Sequence, residues 1–288
     1  MKLHAVFIGK RVKELLDSAD RHIFKVHSVF HRVVNLKTPC GMIAVALGEV
    51  GRSPAYVTVS EDVDFSFLGI EQGMECKVYD GEIRFIDKFT VDLKRAVVWE
   101  GILDRKLFLG KHVLYENISA LKSTADRHAT HGSGWRRIFN NPERDFIQRV
   151  RGLNCSGDLS LMEFSIHNLI GYGLGLTPTG DDILLGFLGT VNYLLDYDPI
   201  RHHLYEKILL NLHKTNDISS SFLKSAVKGD YHEYLERTIY SIISGTAESV
   251  VTSTMQLLKI GATSGSDIVA GLYLGFLGTL NHNSNRCN

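Results

Sequence analysis

Two short stretches concentrate residues able to do chemistry. The first runs Gly171-Tyr172-Gly173-Leu174-Gly175-Leu176-Thr177-Pro178-Thr179-Gly180-Asp181-Asp182, and the second, Gly261-Ala262-Thr263-Ser264-Gly265-Ser266-Asp267, is a degenerate copy 85 positions later. Glycine at this density carries an entropic cost and needs a backbone reason, such as positive φ or close approach to a ligand. Adjacent carboxylates such as Asp181 and Asp182 repel unless a cation or a proton compensates, and paired carboxylates suit Mg²⁺. These two are the candidate catalytic and metal-holding residues, with His167 as a candidate general acid or base. The N-terminus of a helix offers free N–H groups to a phosphate or carboxylate. That makes Gly173, Gly175, Thr177, Thr179, Gly180, Thr263, Ser264, Gly265 and Asp267 the candidate ligand-binding set. Plain capping of their own helices by Asp182 and Asp267 is the competing interpretation.

Other chemistries lack their signatures. There is no GxxxxGK[ST] loop, and neither motif contains a lysine. The Gly171–Gly175 loop follows a predicted helix and so is not a dinucleotide fingerprint. Gly132-Ser133-Gly134-Trp135 lacks the GxSxG elbow. No histidine pair has HExxH spacing, and Cys40, Cys76, Cys155 and Cys287 have no ligand-like spacing. His128 and His131 to Gly134 form a second polar cluster, read as a mobile loop over a cleft.

The elements that must hold these residues fall into two classes. Up to about residue 100 the pattern predicts strands at Ile23–Leu36, Met42–Leu47 and Tyr56–Val59, with a hairpin at Cys76–Phe85 turning on Asp80-Gly81. An antiparallel β-barrel or sandwich-like domain is expected, 1–105. The remainder, 106–288, is expected to be mainly α-helical. Helices are predicted at about 107–121, from a cap at Asn141, from a cap at Asp158, from Asp181 or Asp182 to about 195, and at 200–213, 217–228, 231–244, 247–259 and 267–280. Ala125–Ser133 is expected to be a polar connection. The chain is thus α+β, and its helical domain carries two related Gly-Asp loop/helix units. Thr179-Gly180-Asp181-Asp182-Ile183-Leu184-Leu185-Gly186 matches Ser264-Gly265-Ser266-Asp267-Ile268-Val269-Ala270-Gly271, and the small residues within these helices predict that they pack together.

Composition narrows the partners. Thirty-two Lys plus Arg balance 32 Asp plus Glu, with a pI near 7.2. No net field favours nucleic acid or a membrane surface. The apolar runs Ile183–Leu195 and Ile268–Leu280 are too short to span a bilayer, which needs about 18 to 20 residues. The N-terminus has no convincing leader, so the cytoplasm is expected.

The GLTPxGDD stretch Gly173–Asp182, with Gly186 after it and Gly261–Asp267 plus Gly271 near the end, resembles a bacterial family. One branch of that family is the AllH-like subunit of oxamate carbamoyltransferase, from anaerobic allantoin and purine breakdown. The resemblance extends over nearly the whole chain. It implies a transferase component in a hetero-oligomer, beside companion subunits that resemble acyl-CoA synthetase chains. It also implies a small anionic metabolite as ligand: carbamoyl phosphate, oxamate or phosphate. The reaction interconverts oxalurate and phosphate with oxamate and carbamoyl phosphate. The Ser-Thr-Arg-Thr stretch of ordinary carbamoyltransferases is missing, so an arginine such as Arg136 or Arg144 is expected to arrive from elsewhere in the fold. Two alternatives stand beside this one: a silent structural or metabolite-binding subunit, and a stand-alone Mg²⁺-dependent phosphotransfer or hydrolysis enzyme.

Overall fold

The computed structural model describes residues 1–18, 21–101, 111–153, 158–194 and 199–285; the side chains of 111–112 and 279–285 are not described. The chain divides into two compact units, Met1–Gly101 and Ile102–Asn288. The domain boundary expected at 105/106 and the frayed tail expected at 286–288 lie outside the described residues.

The first unit is a β-barrel. Its elements are β1 (Lys2–Gly9), α1 (Lys10–Asp17), β2 (His22–Val29), β3 (Val33–Thr38), β4 (Gly41–Leu47), β5 (Tyr56–Val59), β6 (Glu75–Tyr79), β7 (Glu82–Phe85), β8 (Phe89–Asp92) and β9 (Val97–Trp99). The strand order is β5-β4-β3-β2-β6-β7-β8-β1-β9, and a β5–β1 pairing closes eight strands into a ring. Alternate side chains point inward, as the two-residue period requires: Leu3 and Ala5, Phe24 and Val26, Val34 and Leu36, Ile83 and Phe85, Phe89 and Val91 are all buried. The Asp80-Gly81 turn has positive φ at both residues, 53° and 69°, which suits a two-residue hairpin.

The barrel differs from the sequence expectation in two respects. It is mixed rather than purely antiparallel, because β1 runs parallel to β8 and β9, and β4 parallel to β5. The segment weighed above only as a leader is β1, the strand that completes the ring. The second difference is α1, a two-turn helix burying Val12 and Leu15 in a region expected to be mostly strand.

The second unit comprises α2 (Lys111–His128), α3 (Arg144–Val150), α4 (Leu159–Leu169), α5 (Thr179–Leu194), α6 (Pro199–Asn211), α7 (Asp217–Val227), α8 (Glu233–Ser244), α9 (Ala247–Leu257) and α10 (Ser264–Asn285). Asp158 caps α4, its carboxylate accepting from the Leu161 N–H at 3.0 Å. Three boundaries differ from expectation. Helix α2 continues through Ala125 to His128, so the predicted connection is partly helix. Glu143, not Asn141, occupies the N-cap of α3. Helix α5 begins at Thr179, which places Asp181 and Asp182 inside its first turn instead of at its cap.

Helices α5 and α10 pack together at the centre through glycine. A methyl group at Gly186 would stand 1.9 Å from the Ile268 carbonyl oxygen, and one at Gly271 would stand 1.9 Å from that of Ile183. Ile183 and Ile268 occupy equivalent places in the two repeats, as do Gly186 and Gly271, so the crossing is an internal twofold. The preceding helices repeat the pattern: Gly180 lies against the Leu169 carbonyl oxygen (2.0 Å) and Gly265 against that of Leu257 (2.1 Å). Each repeat is therefore a helix–loop–helix unit, α4–α5 and α9–α10.

Alanine at Gly186 or Gly271 should cost at least the ~1–3 kcal/mol typical of overpacking, since only backbone displacement relieves the clash. Gly175→Ala, where φ is 94° but nothing lies within 4 Å, should cost only about 1 kcal/mol. Urea unfolding of the three variants checks this, and a Gly271→Ala protein as stable as Gly175→Ala would contradict the crossing.

Candidate functional site

The twofold brings the first turns of α5 and α10 together, and there the adjacent aspartates part company. Asp181 turns away from the junction. Its Oδ1 accepts the Gly171 N–H at 2.9 Å, its Oδ2 accepts the Thr215 hydroxyl, and Ser219 adds a further bond. Burial raises its pKa, and those three donors work against the rise. Asp181 thus ties the glycine loop and the start of α7 to α5. Its equivalent in the second repeat, Ser266, does similar work by accepting the Thr130 N–H at 2.9 Å.

Asp182 and Asp267 turn inward. Asp182 is 3 % exposed and Asp267 fully buried. Each bonds to a hydroxyl of the opposite repeat at equivalent positions, Asp182 to Ser264 and Asp267 to Thr179. Each also bonds within its own repeat, Asp182 to Thr177 and Asp267 to Thr263. Thr177 and Ser264 are joined by a 2.8 Å hydrogen bond. The Gly134 N–H reaches Asp267 Oδ1 at 2.5 Å. Yet neither Asp182 Oδ2 nor Asp267 Oδ2 has a hydrogen-bond partner among the described residues.

Burial makes both carboxyls hold their protons more tightly than usual. Burial pushes Asp182 far above the ordinary carboxyl value, Ser264 and Thr177 counteract it, and the charges of Asp267 and Asp181 push it further. Burial likewise raises Asp267, to about 6, against the Gly134, Thr263 and Thr179 bonds and the charge of Arg137. A pair of this kind gives up its two protons in widely separated steps.

Several of the N–H groups expected to form a cradle are engaged within the chain. The Gly180 N–H is bonded to the Tyr172 carbonyl and the Gly265 N–H to that of Ile260, again at equivalent positions. The amides of Asp181 and Asp182 bond to the Pro178 carbonyl, and that of Asp267 to the Thr263 carbonyl. The junction is consequently rich in acceptors. It suits a ligand that brings N–H groups or positive charge better than it suits a phosphate.

The remaining predicted residues are dispersed. Gly173 and Gly175 lie in the exposed part of the first loop with φ of 119° and 94°, flanking Leu174, which is 96 % exposed. His167 is exposed on α4, its Nδ1 2.6 Å from Lys214 Nζ, and is not among the groups bonded to Asp182 or Asp267. His128 and His131 are exposed, and the loop they flank is held in place rather than free: Thr130 is bonded to Ser266 and Gly134 to Asp267. Arg136 is engaged with the Ala129 and Asp126 carbonyls, and Arg144 is exposed.

The arginine whose charge acts on the junction is Arg137, a member of the basic cluster around Trp135 to Arg151 that the sequence alone does not single out from its neighbours. It sits on a π-helical turn, Arg136–Asn140, a feature frequent at functional sites. It stacks 4.0 Å from Phe146, pairs with Glu143 at 2.8 Å and donates to the Tyr172 hydroxyl at 2.9 Å. Gly134 lies in the second polar cluster noted in the sequence, where its amide reaches Asp267; Thr215 was missed, and nothing local marks it.

No group of three or more His, Cys, Asp or Glu side chains able to hold a metal occurs among the described residues. No described helix is long and apolar enough to cross a membrane.

Two family models match the chain. One, described as the AllH family N-terminal domain, covers residues 4–98, the barrel. The other, described as oxamate carbamoyltransferase subunit AllH, covers residues 169–276, which hold both glycine-aspartate loops. No solved structure matches the chain.

Asp181→Ala should lower stability by roughly 2–4 kcal/mol, since it leaves the Gly171 amide and the Thr215 and Ser219 hydroxyls without their acceptor; an unchanged urea midpoint would argue against the clamp. Asp267 gives a pH signature. Its folded pKa of about 6 lies above the ordinary carboxyl value of 3.8, so its contribution to stability is complete below about 3.8 and is lost as pH rises through 6. The loss is on the order of 3 kcal/mol. Asp267→Asn, which keeps an acceptor for Gly134, should melt higher than wild type at pH 7.5 and lose that advantage near pH 4. Melting curves at both pH values test this.

Proposed function

The chain belongs to the AllH family, whose two domain models it matches in chain order, and we propose that the α5/α10 junction is where it meets its substrate. It is a subunit of oxamate carbamoyltransferase, hence part of a multi-subunit enzyme that handles a small metabolite. Companions resembling acyl-CoA synthetase chains, and a cytoplasmic setting, belong to the same proposal.

The observation that carries the site reading is the pair of buried, unpartnered oxygens, Asp182 Oδ2 and Asp267 Oδ2. A polar atom that is buried without a partner costs about 1–3 kcal/mol and calls for a reason. Glycine packing alone accounts for the crossing but not for these oxygens, which weighs against a purely structural subunit. On this reading Asp182 and Asp267, rather than Asp181 and Asp182, carry the chemistry.

In carbamoyl transfer to oxamate, the amide nitrogen bonds to the carbamoyl carbon, the C–O bond to phosphate breaks, and phosphate leaves with its electron pair. The nitrogen must also lose a proton. Asp267, ionised at neutral pH with its Oδ1 held by Gly134, is placed to take it. The phosphate then falls to Arg137 or to a companion subunit. A second reading follows from the oxygen-only donor set: Mg²⁺ held by Asp182 and Asp267 with the neighbouring hydroxyls. In that case Asp181 is not a ligand.

In the reconstituted assembly, Asp267→Ala and Asp182→Ala should each lose about 100-fold or more in turnover, in keeping with loss of a general acid–base group. His167→Ala should stay within about twofold of wild type, since His167 lies outside the network. Normal turnover in both aspartate variants would sink the site reading.

A further inference from the structure

The junction also bears on how a substrate amide is told from the acid of the same shape. We propose that Asp182 and Asp267 form a seat for a primary amide, pairing with both its N–H and its carbonyl, and that this seat excludes the isosteric carboxylate. The inference rests on the reading of the junction as the substrate site.

The two unpartnered oxygens come one from each repeat, at equivalent positions across the internal twofold. Each carboxyl bonds across the twofold, Asp182 to Ser264 and Asp267 to Thr179, so both stand at the one junction, where the charge of Asp267 acts on Asp182. Asp182, held far above the ordinary carboxyl value, keeps its proton at a pH where Asp267, at about 6, has lost its own. The pair therefore offers one O–H donor and one charged acceptor. A primary amide presents the complement: a carbonyl to accept and an N–H to donate. A carboxylate has no donor and adds a negative charge beside the ionised carboxyl. Arg137, the cation acting on Asp267, is already paired with Glu143. Thr177 and Ser264, both half-exposed, bond to each other and to Asp182, so they are the groups a ligand meets before the carboxyls.

Oxamate and oxalate differ only in carrying NH₂ or O⁻ at one end, which makes them the discriminating probes. Competition against labelled oxamate in the reconstituted assembly, at pH 7.5 and with chelator present, reads the preference directly. Wild type should favour oxamate by about tenfold or more, the effect of a hydrogen bond to a charged group. Asp267→Asn removes the charge and adds an N–H donor; its oxamate-to-oxalate ratio should fall by about 10- to 100-fold. Asp182→Asn substitutes a neutral donor for a neutral acid and should keep the preference.

Equal binding of the two probes by wild type, an unchanged ratio in Asp267→Asn, or a preference that appears only with Mg²⁺ would each overturn the amide seat. The wild-type comparison needs no variant to fold. If oxamate still binds and turnover still depends on the aspartates while the ratio is unchanged, the seat fails and the site reading stands. If wild type binds neither probe, both fail.

Discussion

Backbone pressed against backbone is the constraint on which the helical unit depends. At four places a carbonyl oxygen stands where a side chain's first carbon would otherwise be: Ile268 against Gly186, Ile183 against Gly271, Leu169 against Gly180 and Leu257 against Gly265. The first two bring α5 and α10 within reach of each other, and the other two press each helix against the one before it. Glycine inside a helix is unfavourable by up to about 1 kcal/mol relative to alanine. Here the loss is offset by close contact between two helices whose described residues near the crossing are mostly buried.

That contact fixes where the charges go. Because the helices cross near their first turns, Asp182 and Asp267 arrive at the same buried place. The partial positive charge at the two N-termini eases the meeting, and so do four hydroxyls and the Gly134 amide. None of these reaches the outer oxygen of either carboxyl. The fold therefore maintains an electrostatic cost at one point, and a cost held at one point is the usual mark of a functional site.

The repeat itself was legible in the sequence, because Gly180, Asp182, Ile183 and Gly186 recur with constant spacing as Gly265, Asp267, Ile268 and Gly271. So was the pairing of the two helices. What stayed hidden was long-range. Nothing local tells Asp181 from Asp182; their roles separate only when Thr215 and Ser219 approach from one side and Ser264 from the other. Free N–H groups at the helix starts were a reasonable inference from helix geometry, but the preceding loops turn their own carbonyls back onto Gly180 and Gly265. Arg137 was lost among neighbouring arginines, since stacking on Phe146 has no signature in composition. In the barrel, alternation revealed the strands but not the parallel pairings through β1 that close the ring, because a strand's neighbours are set by topology and not by its own pattern.

The internal twofold is carried by one chain, and its halves are unequal. Two identical subunits would present two interchangeable carboxyls, and an unsymmetrical ligand would settle between them in two equivalent orientations. Here Asp267 has the Gly134 amide and the field of Arg137, whereas Asp182 has Asp181 beside it. That inequality removes the degeneracy. A two-ended molecule entering the junction finds one lower-energy orientation, and its reactive end faces the same way at every turnover.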